Sequence, residues 1–375
     1  MPAVSDYSAT LERICTETVA PDAPNVDQHG AFPDRSLKAL AQAGLLGAVS
    51  APEVGGLNLG HRGAAAIVGR LAQDCASTAM VVCMHYCGTA VLEAHAPRNI
   101  RTAAASGSHL STLAFSEAGS RSHFWAPVST AKRDGDQVVL DARKSWITSA
   151  SKATSYVWSS RPLQADGLST LWLVPADTAG VRVQGPFDGL GLRGNDSSPV
   201  SANGARIPAA AMLGEDGKGF DIMMGIVLPL FNVLNAACSV GIMEAAVQRT
   251  AQHASGTRYA HLDSALADLP TIRSYIARMR IQTDMARTLL DDTIVALETS
   301  RPDAMLRVLS CKAAAGESAG EVVDTAMRVC GGAAFRKDIA VERYFRDAHA
   351  AGVMGPTTDV LYDFIGKAVC GMPLF

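Results

Sequence analysis

The sequence is poor in the features that mark several common classes of protein. Its 33 lysine and arginine residues nearly balance 36 acidic ones, and they form no basic run that would follow a phosphate backbone. No stretch of about 18 uninterrupted apolar residues is present, so a membrane-spanning helix is not predicted. The first residues lack the basic and apolar segments of a secretory signal. These absences predict a cytoplasmic protein that binds neither nucleic acid nor a membrane.

Cysteine is present without a pattern that would give it a structural role. The eight cysteines are scattered, and none of them forms a CxxC pair, so neither a disulfide framework nor a zinc site is predicted. Cys83 and Cys87 are one helical turn apart and could share a metal, but no second group of ligands follows them. We therefore predict buried thiols and no metal. A nicotinamide site is not predicted either, because no GxGxxG motif joins a strand to a helix.

Hydrophobic periodicity divides the chain into three parts. Apolar residues recur at helical spacing in residues 36–95, and short β-branched and aromatic runs replace them in residues 111–213. A chain of 375 residues also exceeds the usual size of a single core. Helical spacing returns in four long segments near residues 220–255, 264–298, 302–330 and 340–369. The sequence thus predicts three domains: N-terminal helical (1–109), middle β (110–213) and C-terminal helical bundle (214–375).

Five motifs along the chain resemble those of the acyl-CoA dehydrogenase superfamily of FAD enzymes, in the same order and at similar spacing. The resemblance covers nearly the whole chain and implies an α+β fold with a β-barrel-like middle domain and a C-terminal four-helix bundle. It also implies a homodimer or homotetramer. The motifs are APEVGGL at 51–57, LAFSE through Ser122 at 113–122, KSWITS at 144–149, GLRGNDS with LGEDGKGF at 191–220, and VCGG with VERYFRDA at 329–348.

The resemblance implies an FAD site built from two sets of residues. On sequence alone Phe115 and Trp146 could equally be core residues of the β domain. In the adenosine part, Arg328 replaces a common glutamine, and a Phe-Gly pair expected after Arg258 is missing. The flavin and phosphate part would use Phe115, Ser116, Ser122, Trp146, Thr148, Thr357 and Asp359. The adenosine part of a partner subunit's site would use Arg258, Gly331 and Gly332.

The catalytic glutamate of the superfamily is missing from both places where its members carry it. Gly355 occupies the first place and Phe231 occupies the second. Loss of a general base typically costs about two to four orders of magnitude in rate. Ordinary α,β-desaturation is therefore not predicted unless another acid or base takes over, and Asp359 is the nearest acid in the sequence. Its alternative role is to cap the helix that it begins.

The remaining candidate residues are Gly355 itself and two histidines. Gly355 leaves room above the flavin, and His123 stands where a dehydrogenase usually has aspartate. His85 is the second candidate for an acid, a base or a substrate-orienting group, because imidazole titrates near neutral pH. Each histidine could instead be structural. The predicted substrate pocket consists of Tyr86, Phe231 and Met354.

We predict an FAD-dependent oxidoreductase that acts on an acyl thioester of coenzyme A or of a carrier protein, or on a related small organic substrate. Oxygenation through a flavin peroxide is the first choice, since superfamily members that are monooxygenases also lack the glutamate. Such an enzyme needs a reductase as a partner unless the substrate itself reduces the flavin, so the candidate partners are a flavin reductase or, for a dehydrogenase, an electron-transfer flavoprotein. The alternatives are a dehydrogenase whose base has moved to Asp359 or His123, and a non-catalytic flavin-binding scaffold. The retained Trp146 and Thr148 argue against the scaffold.

Overall fold

The computed structural model describes residues 7–374, and its N-terminal part is helical. A π-helical turn at Cys15–Val19 joins the first two helices. The turn before α4 requires glycine, because a Cβ atom on Gly56 would lie 2.1 Å from the carbonyl oxygen of Ser50. The helices are α1 (Tyr7–Ile14), α2 (Ala20–Gln28), α3 (Asp34–Gln42), α4 (Gly60–Asp74), α5 (Ala76–His95) and α6 (Arg98–Ser106).

The middle part of the chain consists of strands, as the β-branched runs predict. They form two four-stranded sheets with the orders β1-β4-β5-β8 and β2-β3-β7-β6. Alternate residues of β3 are buried, and the two sheets share a core that contains Trp158 and Trp172. The strands are β1 (Ser111–Ala114), β2 (Thr130–Asp134), β3 (Gln137–Ile147), β4 (Ser155–Ser160), β5 (Thr170–Pro175), β6 (Val181–Val183), β7 (Ser198–Pro208) and β8 (Met212–Leu213).

The C-terminal part returns to helices. A short helix and a π-helical turn (Met223–Val227) lead into a bundle, and a two-stranded hairpin separates its first two long helices. The helices are α7 (Gly219–Ile222), α8 (Leu228–Gly256), α9 (Pro270–Glu298), α10 (Ala304–Cys330), α11 (Val341–Ala348), α12 (Ala350–Val353) and α13 (Thr358–Val369), and the hairpin strands are β9 (Arg258–Tyr259) and β10 (Ser264–Ala265).

The last of the four predicted helical segments is not continuous. It divides into α11, α12 and α13, and residues 354–357 between α12 and α13 are not helical. Glycine lowers helix stability and proline lacks the donor that a helix interior needs, so Gly355 and Pro356 account for the break. The break places Gly355 in a loop that runs from the bundle to the N-terminus of α13.

The stretch Gly219–Gly256 is long and apolar enough to span a membrane, because its most apolar 18-residue window has a mean hydropathy of 1.9. However, 94% of its most apolar window is buried inside the protein. It is therefore the core helix of the bundle, in keeping with a soluble fold.

Candidate functional site

Trp146 is the most unusual side chain at the edge of the middle domain. Its backbone has a φ of +57°, which is costly for a residue with a side chain, and the indole is 72% exposed. The backbone N–H of Ser145 donates to the Ser116 carbonyl oxygen at 2.9 Å, so the end of β3 is tied to the loop after β1. The predicted flavin residues Ser116 and Trp146 are thus close together, with a flat ring left uncovered beside them.

Thr148 and Phe115 lie in the protein layer behind this edge. Thr148 is buried, its hydroxyl is 3.2 Å from the Ser197 hydroxyl, and its carbonyl accepts a hydrogen bond from Thr112. Phe115 is also buried, and its ring is nearly parallel to that of Phe124 at 6.4 Å. These contacts fix the backbone that carries Ser116 and Trp146.

A buried ion pair supports the same loop. The Lys144 ammonium donates to the Glu117 carboxylate at 2.6 Å, and both side chains are almost completely buried. Burial disfavours ionised Glu117, but the Lys144 charge and hydrogen bonds from Ser129 and Val128 outweigh it and hold the pKa of Glu117 below its ordinary value. Both residues lie in the recognised motifs, but the sequence alone gave no reason to pair them.

A contact between distant parts of the chain brings Gly355 to this loop. The Ser122 hydroxyl donates to that of Thr357 at 3.4 Å. A Cβ atom on Gly355 would lie 3.8 Å from the Ser122 carbonyl oxygen, and among the described residues only Ser122 atoms would come within 4 Å of it. The position predicted to lack the catalytic carboxylate therefore borders open space beside the predicted flavin loop.

Lys312 of α10 fixes the loop that carries Gly355. Its ammonium donates to the carbonyl oxygens of Ala351, Met354 and Pro356 at 2.8–3.1 Å, and these acceptors match the three N–H groups of the charged form. Burial lowers the pKa of Lys312 to about 7. The sequence analysis missed this residue, and its only signal was a lysine at an inward position of an apolar helix.

His123 and Asp359 line the same surface cavity of about 520 Å³. The His123 ring lies 5.1 Å from the ring of Trp125, and Asp363 and Lys367 complete the polar part of the lining. Asp359 lies in the first turn of α13, where a carboxylate also suits the helix dipole. The two residues that sequence analysis offered as relocated bases are therefore neighbours.

His85 and Tyr86 lie inside the protein and bond to its backbone. The Nδ1 atom of His85 accepts a hydrogen bond from the Ser111 N–H, so the proton lies on Nε2, which donates to the Leu46 carbonyl oxygen. Burial lowers the pKa of His85 to about 4 and keeps the ring neutral. The Tyr86 hydroxyl donates to the Leu45 carbonyl oxygen at 2.6 Å. Both side chains are fully buried, and they hold α5 to the neighbouring turn, so their contact with substrate stays a prediction.

The other predicted pocket residues border the Gly355 loop. Met354 directly precedes Gly355, and its sulfur accepts a hydrogen bond from the Asn235 amide at 3.4 Å. Phe231 lies one turn before Asn235 on α8 and is buried. Asn235 therefore connects the Gly355 loop to the helix that carries Phe231. The sequence gave no indication of a role for Asn235.

The predicted adenosine residues are separate from this site. Arg258 is exposed and pairs with Asp263 at 2.8 Å within the hairpin loop. Gly331 and Gly332 are exposed at the end of α10. The structure gives these residues no contact with the flavin loop of their own chain, and their use by a partner subunit stays a prediction.

Two features fit a flavin nucleotide, and none fits a metal centre. The uncovered indole of Trp146 suits stacking on a flat ring system. The N-terminus of the 12-residue helix α13, next to Thr357, suits a phosphate. Within residues 7–374 no group of three or more His, Cys, Asp or Glu side chains is placed to hold a metal ion. All eight cysteines are free thiols, and seven of them are buried.

Comparisons with known proteins agree with this architecture. Human short-chain specific acyl-CoA dehydrogenase, a mitochondrial protein, is 29% identical over 94% of this chain and 86% of its own length. The structure of butyryl-CoA dehydrogenase from Megasphaera elsdenii matches with a TM-score of 0.90 at 21% identity, over 98% of this chain and 97% of that one. The structure of PigA with FAD and proline matches with a TM-score of 0.90 at 18% identity, over 99% of both chains.

Three domain families match in sequence. They are the acyl-CoA dehydrogenase N-terminal domain at residues 4–102, the middle domain at residues 112–205 and the C-terminal domain at residues 217–370. The predicted α+β fold, with a helical, a β and a helical-bundle domain in that order, is confirmed. The chain belongs to the acyl-CoA dehydrogenase family.

Proposed function

We propose that this protein is an FAD-dependent monooxygenase of an acyl thioester. Family membership indicates FAD as the cofactor and an oxidoreductase as the enzyme class. The observation that carries the oxygenase assignment is the open space at Gly355, where the family's carboxylate would stand. Phe231 fills the alternative position, and the carboxylate of Glu117 is already held by Lys144. Without a base, proton removal from the α-carbon of the acyl group would be slow.

The residues of this chain would hold the cofactor and order the substrate. FAD supplies two-electron redox chemistry and, when reduced, reactivity toward O₂. Trp146 would stack on its ring, and Ser122, Thr357 and the α13 N-terminus would hold its phosphates. His123 would act as a hydrogen-bonding or proton-transferring group at the edge of the site. The space beside Gly355 would admit the oxygen or a bulkier acyl group.

The remaining parts of the proposal concern partners and location. The substrate would be carried by coenzyme A or by a carrier protein. Electrons would come from a flavin reductase, and for a dehydrogenase they would leave through an electron-transfer flavoprotein. The protein would be a cytoplasmic homodimer or homotetramer, in which Arg258, Gly331 and Gly332 complete the partner's FAD site.

Oxygen labelling tests the reaction type. The flavin is reduced with dithionite under argon, a panel of saturated acyl thioesters is added, and ¹⁸O₂ is admitted. We expect a product that contains one ¹⁸O atom, with the second atom released as water. The contradicting result, from a parallel anaerobic titration of the oxidised enzyme without dithionite, is bleaching of the flavin by the thioester together with an enoyl product two hydrogens lighter.

A dehydrogenase with a relocated base is the second candidate, since His123 and Asp359 line the same cavity beside the Ser122 loop. If it is correct, His123→Gln should slow anaerobic flavin reduction by the thioester about 100- to 10,000-fold, because a general base is lost. Stopped-flow absorbance of the flavin band measures this rate. His29→Gln, at an exposed histidine after α2, is the control. An unchanged rate in His123→Gln would remove this histidine as the base.

A further inference from the structure

Asn235 is a buried polar residue with an unused acceptor. Its side chain is part of α8 and is 1% exposed. The amide group donates to the Met354 sulfur, whereas the carboxamide oxygen has no hydrogen-bond partner among the described residues. A buried acceptor without a partner costs free energy, and an apolar residue of the same shape would not. Asparagine at this position therefore lowers the stability of the fold.

The neighbours of Asn235 place it directly behind the loop that carries Gly355, which borders the proposed acyl site. Met354, its hydrogen-bond partner, directly precedes Gly355, and Lys312 holds the Met354 carbonyl from the α10 side. Phe231, which replaces the family's second glutamate position, lies one helical turn earlier on the same face of α8. Asn235 thus lies next to both positions from which the usual acid is missing.

A second buried asparagine on α8, Asn232, can be compared with Asn235. Asn232 is also buried with an unpartnered carboxamide oxygen, but its amide donates to the Val308 carbonyl oxygen on α10. It therefore joins two helices of the bundle, and among the described residues its only side-chain hydrogen bond is to α10 and not to the Gly355 loop. Only Asn235 of this pair combines an unused acceptor with a contact to that loop.

We propose that the carboxamide oxygen of Asn235 accepts a hydrogen bond from an N–H or O–H group on the acyl part of the substrate, so that Asn235 determines specificity. A carboxamide oxygen is an acceptor only, and it needs a donor on its ligand. The substrate is then an amino-acyl or hydroxy-acyl thioester and not a plain alkyl one. This inference rests on the proposed thioester site beside Gly355.

Binding of matched thioesters tests the inference without turnover. The probes are pantetheine thioesters in two pairs: prolyl with cyclopentanecarbonyl, and 3-hydroxybutanoyl with 3-methylbutanoyl. Each pair differs by one donor in place of a carbon. Dissociation constants are measured anaerobically from the shift of the flavin band of the oxidised holoenzyme. In at least one pair, we expect the donor-bearing member to bind about 10-fold more tightly or better, as for a hydrogen bond that satisfies a buried acceptor.

Variants test whether the preference for the donor-bearing thioester comes from the Asn235 side chain. Asn235→Leu should remove the preference for the donor within the pair and leave the binding of the apolar member within about 3-fold. Asn235→Val serves if the leucine variant does not retain flavin. Asn232→Leu is the matched control, and it should keep the preference even if it lowers the melting temperature.

The outcomes separate this inference from the proposed function. Equal binding within both pairs by the wild type, or an unchanged preference in both Asn235 variants, would overturn the role of Asn235 while the thioester site stands. If none of the four thioesters binds, the proposed thioester function itself fails, and the inference fails with it.

Discussion

Replacing Gly355 by glutamate is expected to raise the rate of anaerobic flavin reduction by a saturated acyl thioester about 100- to 10,000-fold, because it restores a general base. The backbone does not have a positive φ there, and a Cβ atom would meet only the Ser122 backbone at 3.8–4.0 Å. The Cβ atom of the new side chain is therefore accepted without a clash. Stopped-flow bleaching of the flavin band and detection of the enoyl product measure the gain.

Gly355→Gln is the matched control for this substitution. It has the size of glutamate but cannot accept the α-proton as a carboxylate does, so it should stay at the wild-type rate. If Gly355→Glu is no faster than Gly355→Gln while both retain flavin, the missing carboxylate does not explain the lack of desaturation. Fast flavin reduction by the thioester in the wild type itself would instead favour the dehydrogenase whose base is His123 or Asp359.

Replacing Lys144 by methionine is expected to lower the free energy of unfolding by about 3–5 kcal/mol, because the Glu117 carboxylate is left buried without its counter-charge. The loss should shrink as the pH falls toward 4. Without Lys144, burial raises the pKa of Glu117 above its unfolded value, so the folded state gains protons that the unfolded state does not bind. Chemical denaturation of the holoenzyme at several pH values measures both effects.

An exposed ion pair of the same domain provides the control. Arg206 and Asp134 lie 2.7 Å apart, but their side chains are 53% and 60% exposed. Arg206→Met should therefore change the free energy of unfolding by less than about 1 kcal/mol. The double variant Lys144→Met with Glu117→Leu should recover part of the loss, because both charges are gone. A loss in Lys144→Met no larger than that in Arg206→Met would contradict the assigned role of the buried pair.

The location of the candidate site followed from local patterns. The KSWITS motif contains Trp146, whose ring is exposed, and the loop that ends at Ser122 lies beside the open position at Gly355. The residues were readable because a motif and a turn are set by residues that are close in the sequence, whereas the exposure of Trp146 was not. The same reasoning gave no account of the surroundings of His85 and Tyr86, where it used helix membership alone. A position on α5 did not reveal that both side chains face a neighbouring turn.

By itself the sequence determined the family and the order of helical, β and helical domains, because periodicity and motifs are properties of neighbouring residues. It also predicted that the family's carboxylate is missing at Gly355. Only the tertiary structure decided which distant groups meet. It brought Ser122 to Thr357, Lys144 to Glu117, and the Gly355 loop to Lys312 and Asn235. These contacts depend on how helices and sheets pack, and a buried lysine or asparagine carries no local signal of the partner that it will find.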